Sequence, residues 1–202
     1  MARATRHKLL IGMISLTLAQ PSWASLDDGL AAYDDGDYLA AYRELRPLAD
    51  IGDSAAQHML ARMFFAGQGM PRDAVAALAW ERKAADLGEA AAQLDLATRY
   101  ENGIDMPADM EQAAKWYGLA AEHGAPVAQY RLGLLYLNGT GVAQDMVTAH
   151  MWLNLAAAKL PPGEARSAVA NARDAVGAKL SVMQIKQAQE RARDWKLVDR
   201  MP

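Results

Sequence analysis

A chain of 202 residues with 52% apolar and 22% charged side chains is too apolar for wholesale disorder and has room for one domain or one repeat array with an ample core. The absence of cysteine excludes disulfides, thiol catalysis and Cys-based zinc sites together. The formal net charge of −3, with no basic stripe interleaved by aromatics, argues against a nucleic-acid partner.

The first 24 residues stand apart from the rest. Arg3, Arg6, His7 and Lys8 form a basic head without an acid, and Leu9 to Ala19 is an apolar run. Ser22 and Ala24 then supply small residues at the −3 and −1 places of a cut after Ala24. That order of parts is that of a secretory signal peptide, and the run is too short to span a bilayer comfortably. Residues 1–24 are therefore expected to be cleaved. The mature chain is expected to be exported, either periplasmic or secreted, with no stable membrane insertion. Loss of Arg3, Arg6 and Lys8 would take the 21 basic residues to 18 against 24 acids, a net of −6. The charge is uneven: residues 27–53 carry a net of −6 and residues 159–202 a net of +4.

From residue 54 the chain repeats itself every 36 residues. The step links Gln57, Gln93 and Gln129, then Gly67, Gly103 and Gly139, then Asp73, Asp109 and Asp145, then Trp80, Trp116 and Trp152. A period of this size is the signature of stacked supersecondary units. In the third copy Ala128, Gln129, Leu132, Gly133 and Tyr136 share one helical face. Pro126 suits a first helical turn, and Asn138-Gly139 ends the helix, with glycine at the place that needs a left-handed backbone. A return helix opens at Asp145, whose carboxylate can cap it. Ala149, Trp152, Ala156 and Ala157 form its inward face. Asp109 with Gln112 has the spacing of a capping box. Gly88 and Gly124 end the first two return helices.

A partial copy precedes these. Asp37, Ala41, Ala49 and Gly52 lie one step before Asp73, Ala77, Ala85 and Gly88, with Glu44 at the tryptophan place. Residues 25–53 are therefore a degenerate capping hairpin, followed by repeats at 54–89, 90–125 and 126–160. Pro161-Pro162-Gly163 breaks the register. Residues 161–202 are expected to hold a helix to about Lys179, a capping box at Ser181 and Gln184, and a last helix with Ile185, Ala188 and Trp195 that closes the open end. The fold class is all-α, an α-solenoid of stacked helix hairpins.

Residues with chemical potential find plainer uses. His58, His123 and His150 lie on different elements without metal-ligand spacing. The Gly-x-Gly loops lack the Lys-Ser/Thr of a phosphate loop and the strand of a dinucleotide turn. Ser25 and Ser54 have no partner base. Three tryptophans at one per repeat read as core. Asp34-Asp35-Gly36-Asp37 reads as a turn and a helix cap. No cofactor or metal is expected, and no catalytic residue.

The pattern Ala-x-Ala-Gln-x-x-Leu-Gly-x-x-Tyr, then Gly-x-Gly-Val, Asp, Ala, Trp and Ala-Ala resembles the Sel1-like repeat family, relatives of tetratricopeptide repeats with a longer glycine loop. The match is best over Val127–Ala157. In Ala91–Ala121, Ile104-Asp105 replaces the second loop glycine. In Ala55–Ala85, Phe64 holds the Tyr place and Ala61 the Gly place. The resemblance implies a right-handed superhelix that acts as an adaptor or regulator in signalling and envelope complexes. Some secreted members carry a Cys pair in each repeat and are associated with β-lactamase activity. Without cysteine that carry-over fails. The resemblance also implies a groove lined by the first helices, at His58, Arg62 and Phe65, at Leu94, Thr98 and Glu101, and at Tyr130, Leu134 and Leu137. The third trio is apolar, and is either a partner site or covered by the carboxy-terminal helices. The reading is a non-enzymatic envelope scaffold that binds a segment of another protein. An envelope hydrolase acting on a cell-wall or lactam substrate and a structural homo-oligomer stand as alternatives.

Overall fold

The computed structural model describes residues 25–198, with side chains described to residue 195. The signal-peptide reading of residues 1–24 lies outside the described residues. Ten helices follow in order: α1 (Leu26–Asp34), α2 (Tyr38–Asp50), α3 (Ser54–Ala66), α4 (Ala74–Asp86), α5 (Ala90–Asn102), α6 (Met110–Glu122), α7 (Pro126–Asn138), α8 (Met146–Lys159), α9 (Glu164–Gly177) and α10 (Val182–Val198). Among the described residues there is no strand. Each helix packs on its successor from α1 to α9, and α10 returns onto α8. The result is an all-α solenoid of stacked hairpins. No helix among the described residues is long and apolar enough to cross a membrane.

The 36-residue step survives as geometry. Helices α3, α5 and α7 begin at residues 54, 90 and 126. Gly67, Gly103 and Gly139 close them at φ of 67°, 65° and 67°, a conformation that costs a residue with a Cβ. Asp73, Asp109 and Asp145 open the return helices. Each carboxylate accepts two backbone N–H groups, at 2.9–3.1 Å, and each cap is worth about 1 kcal/mol. At Asp109 only this half of the capping box forms. At Ser181 both halves form: Ser181 N donates to Gln184 Oε1 at 2.9 Å, and Gln184 N to Ser181 Oγ at 3.3 Å.

The repeated glutamine proves to be a tie between hairpins. Nε2 of Gln57, Gln93 and Gln129 donates to the carbonyls of Ala49, Ala85 and Ala121 at 3.0, 3.0 and 3.1 Å. Each carbonyl is in the last turn of the preceding return helix, where it also accepts the backbone N–H of the glycine that follows, Gly52, Gly88 or Gly124. Alanines 41, 77, 113 and 149 are fully buried and let neighbouring helices approach. At Gly133 the approach is tighter, because a Cβ would stand 2.9 Å from Leu153 Cγ. Trp116 and Trp152 are buried, at 6% and 8% exposure. Trp80 differs from the expectation of a core residue. It is half-buried, with Arg46 at 5.3 Å and Lys83 at 4.1 Å from its ring.

The last helices close the array on two sides. Val169 and Val176 of α9 bury against Ala149, Leu153 and Ala156 of α8. Ala188 and Ala192 of α10 enter the central core with Trp152 and Leu155. Arg191 meets Thr148, and Trp195 meets Trp152 and Lys159, so α10 runs in the same direction as α8.

Candidate functional site

Three residues depart from the repeat register in the middle of the array. Position 81 is Glu where the later repeats place Tyr117 and Leu153. Position 99 is Arg where the others place Met63 and Leu135. Position 105 is Asp where the others place Gly69 and Gly141. The first two are core places: Tyr117, Leu153, Met63 and Leu135 are all buried. The third departure keeps the left-handed backbone of its glycine counterparts, at φ 60°, a conformation that Asp tolerates better than most residues.

The three departures meet in one network. Arg99 Nε donates to Glu81 Oε2 at 2.8 Å, and Arg99 Nη1 lies 3.4 Å from Asp105 Oδ2. Arg72 pairs with the other Asp105 oxygen at 2.5 Å. Glu81 is fully buried, and its Oε1 has no partner among the described residues. Burial pushes its carboxyl up to about 7, with Arg99 opposing the rise. The pair links α4 to α5, and so joins the first repeat to the second. The Arg99 guanidinium also lies over Phe65, 3.3 Å from the ring centroid, a cation–π contact favoured where both groups are desolvated.

Above this network lies a pocket of about 460 Å³. Its walls include Tyr33, Arg62, Phe65, Gln68, Asp95, Thr98, Arg99 and Ile104. Of the residues expected to line a groove, Arg62, Phe65 and Thr98 come together here. His58 is buried behind the wall, with Nε2 3.0 Å from Asp95 Oδ2. Leu94 is half-buried and packs against the central core. Glu101 accepts from Tyr117 Oη at 2.6 Å and lies 3.6 Å from Arg131. Burial, aided by that bond to Glu101, raises the Tyr117 phenol to about 12.

The third trio sits elsewhere. Tyr130 and Leu137 pack against the cluster built by α8 and α9. Tyr130 also lines a small apolar cleft of about 160 Å³ with Val127 and Val169. Tyr130, Leu134 and Leu137 are all half-buried, so α9 covers part of the apolar surface. Asp95, Arg99 and Glu81 were not among the expected site residues, although a column-by-column comparison of the repeats marks positions 81 and 99 as polar in apolar columns. The other histidines stand apart. His123 Nδ1 lies 3.1 Å from Gln93 Oε1, and His150 is buried beside Gly177 with its Nδ1 unpartnered. Among the described residues no cluster of three or more His, Cys, Asp or Glu stands ready for a metal ion.

The Sel1 repeat family model matches residues 54–89, 90–124 and 126–159, and the chain belongs to that family of helical repeats, whose fold generally serves protein–protein interaction. It is similar to the crystal structure of a Sel1 repeat protein from Oxalobacter formigenes, at 30% identity and a TM-score of 0.63, over 66% of this chain and 55% of that one. It is also similar to the crystal structure of c5321, a protective antigen present in uropathogenic Escherichia coli strains displaying an SLR fold. There the identity is 26% and the TM-score 0.54, over 83% of this chain and 45% of that one. The chain thus spans about half the length of these two proteins. No curated protein matches it.

Proposed function

We propose that this protein is an exported, non-enzymatic scaffold or regulator of the bacterial envelope that holds a segment of another protein along the face of α3, α5 and α7. The observation that carries the reading is the pocket beneath Arg62, Phe65 and Thr98. It is open, lined by both charged and apolar groups, and rests on helices whose large residues are otherwise spent on packing. Such a surface suits a helix or extended segment with one apolar stripe. Site-specific photo-crosslinking in the native cell tests it. A photo-reactive residue at position 98 or 134 is expected to give a discrete protein adduct. The same residue at the exposed positions 86 and 122 of the return helices is expected to give none. Adducts from the return helices alone would move the partner surface off this face.

Export rests on the basic head and apolar run at residues 1–24. Mass spectrometry of the periplasmic or secreted protein is expected to show an amino terminus at or near Ser25. Intact Met1 in a membrane fraction would replace the signal-peptide reading with an uncleaved anchor.

A further inference from the structure

The pocket between the first two repeats is richer in donors than in free acceptors. Arg62 is exposed at its wall, with its guanidinium 5.6 Å over the Tyr33 ring and Nη1 3.6 Å from Met59 Sδ. Among the described residues no carboxylate lies within ion-pair distance of it. Arg99 also lines it, over the Phe65 ring, with Glu81 and Asp105 fixing its Nε and Nη1. Tyr33 Oη donates to Gln68 Oε1 at 3.0 Å, which leaves the amide N–H groups of Gln68 for an outside acceptor. Asp95 is the carboxylate that lines the pocket, and its Oδ2 is taken up by His58. Glu81 and Asp105 engage Nε and Nη1 of Arg99, and among the described residues its Nη2 meets no carboxylate. Phe65 and the exposed Ile104 add apolar surface beside these donors.

Packing does not explain the arrangement. The columns that hold Glu81 and Arg99 are filled by apolar or aromatic side chains in the other repeats, and those repeats also pack on their neighbours. Replacing a buried ion pair by apolar residues is often neutral or stabilising, so the fold does not require this one. What the pair does is hold a guanidinium in the lining of an open pocket, together with a second guanidinium, Arg62, that has no carboxylate partner among the described residues. Arginine suits carboxylate recognition because its planar fork matches the two oxygens.

We infer that this pocket receives the side-chain carboxylate of an aspartate or glutamate, flanked by a large apolar residue, in the extended segment of a partner protein. Arg62 and Arg99 hold the carboxylate, Phe65 and Ile104 take the apolar neighbour, and Glu81 and Asp105 act as positioning residues for Arg99. This inference rests on the groove reading given above, and deepens it by naming the chemistry of the occupant.

The test selects heptapeptides from a phage-displayed library on the purified protein. Selected sequences are then resynthesised with fluorescein and with both termini blocked, and binding is read by fluorescence anisotropy. The selected peptides are expected to carry Asp or Glu beside a large apolar residue. Changing that acid to its amide is expected to weaken binding about tenfold or more, the size of losing a charge-assisted hydrogen bond. Arg62→Ala should cause a similar loss, and the two changes together should cost less than the product of the two. The paired substitution Glu81→Leu with Arg99→Met, which restores the residue types of the other repeats, should keep the helical circular dichroism and lose binding by about tenfold as well. Peptides without an acid that bind Arg62→Ala undiminished, and lose affinity only with Leu134→Glu, would overturn this inference and leave the groove reading standing. Selected peptides indifferent to both Arg62→Ala and Leu134→Glu would overturn both.

Discussion

Arg99→Met alone is expected to destabilise the array by about 1–3 kcal/mol, the cost of leaving the buried Glu81 carboxyl without its hydrogen-bond donor. Glu81 has no exposure, and among the described residues Arg99 Nε is its one hydrogen-bond donor. Combining this change with Glu81→Leu is expected to bring stability back to within about 1 kcal/mol of the parent or above it, because both columns then hold apolar side chains, as at Met63, Leu135 and Leu153. Urea denaturation followed by circular dichroism measures both. A loss below about 1 kcal/mol for the single variant would show that water or a rearranged neighbour satisfies Glu81, and the pair would then have no grip on the junction of the repeats. The same residue gives the stability curve a pH signature. The Glu81 carboxyl is raised from 4.5 to about 7 in the folded chain, so between these values the folded state binds more protons than the unfolded one. Stability therefore falls as pH rises from about 4.5 to about 7, by on the order of 1–3 kcal/mol. His150 acts in the opposite sense. Burial holds its imidazole below the ordinary value, so its contribution improves as pH rises through about 6.5. The difference between the parent and Glu81→Gln, measured at pH 5 and pH 8, isolates the carboxyl. The variant should lack the fall.

Trp116→Ala is expected to cost about 3–5 kcal/mol, the range for emptying a large aromatic from a core. Trp116 is 6% exposed and sits in a cluster that runs from Ala84 to Ala192. The central repeat has a neighbour on each side, so its loss weakens two junctions. The buried indole Nε1 has no hydrogen-bond partner among the described residues. Removing an unsatisfied donor returns part of the cost and places the expected value toward the lower end. Trp80→Ala should cost less by at least about 1 kcal/mol, because that side chain is only partly buried where Trp116 is buried. Thermal melts of the two variants give the comparison. Equal losses would mean that Trp80 is as much a core residue as its register mates.

The architecture was legible because it is local and repeated. Each hairpin needs a glycine that tolerates a left-handed backbone at positions 67, 103 and 139, and an acceptor at the head of each return helix at positions 73, 109 and 145. These demands concern residues close together in the chain, so they reappear at a constant spacing. The alanine columns were legible for the same reason. The role of Gln57, Gln93 and Gln129 was not, although their register was plain. The carbonyls they reach belong to the preceding hairpin, and only the stacking of one hairpin on the next brings donor and acceptor together.

The candidate site divides along the same line. Arg62, Phe65 and Thr98 were placed on the groove face from helical spacing and a family resemblance, and they line one pocket. His58 shares their helical face, yet its ring turns to Asp95 and is buried, because Asp95 belongs to the next hairpin. The apolar character of Tyr130, Leu134 and Leu137 was visible in the sequence. How much of it faces solvent was decided by α9, whose valines pack on α8 beside the trio after the proline break. Glu81 and Arg99 are 18 residues apart on different helices, and neither alone signals a partner. The sequence by itself determined the helices, their ends and the period of the stack, since those follow from backbone and propensity. The tertiary structure decided which polar residues meet, because the cost of burying a charge is set by what the neighbouring repeat supplies.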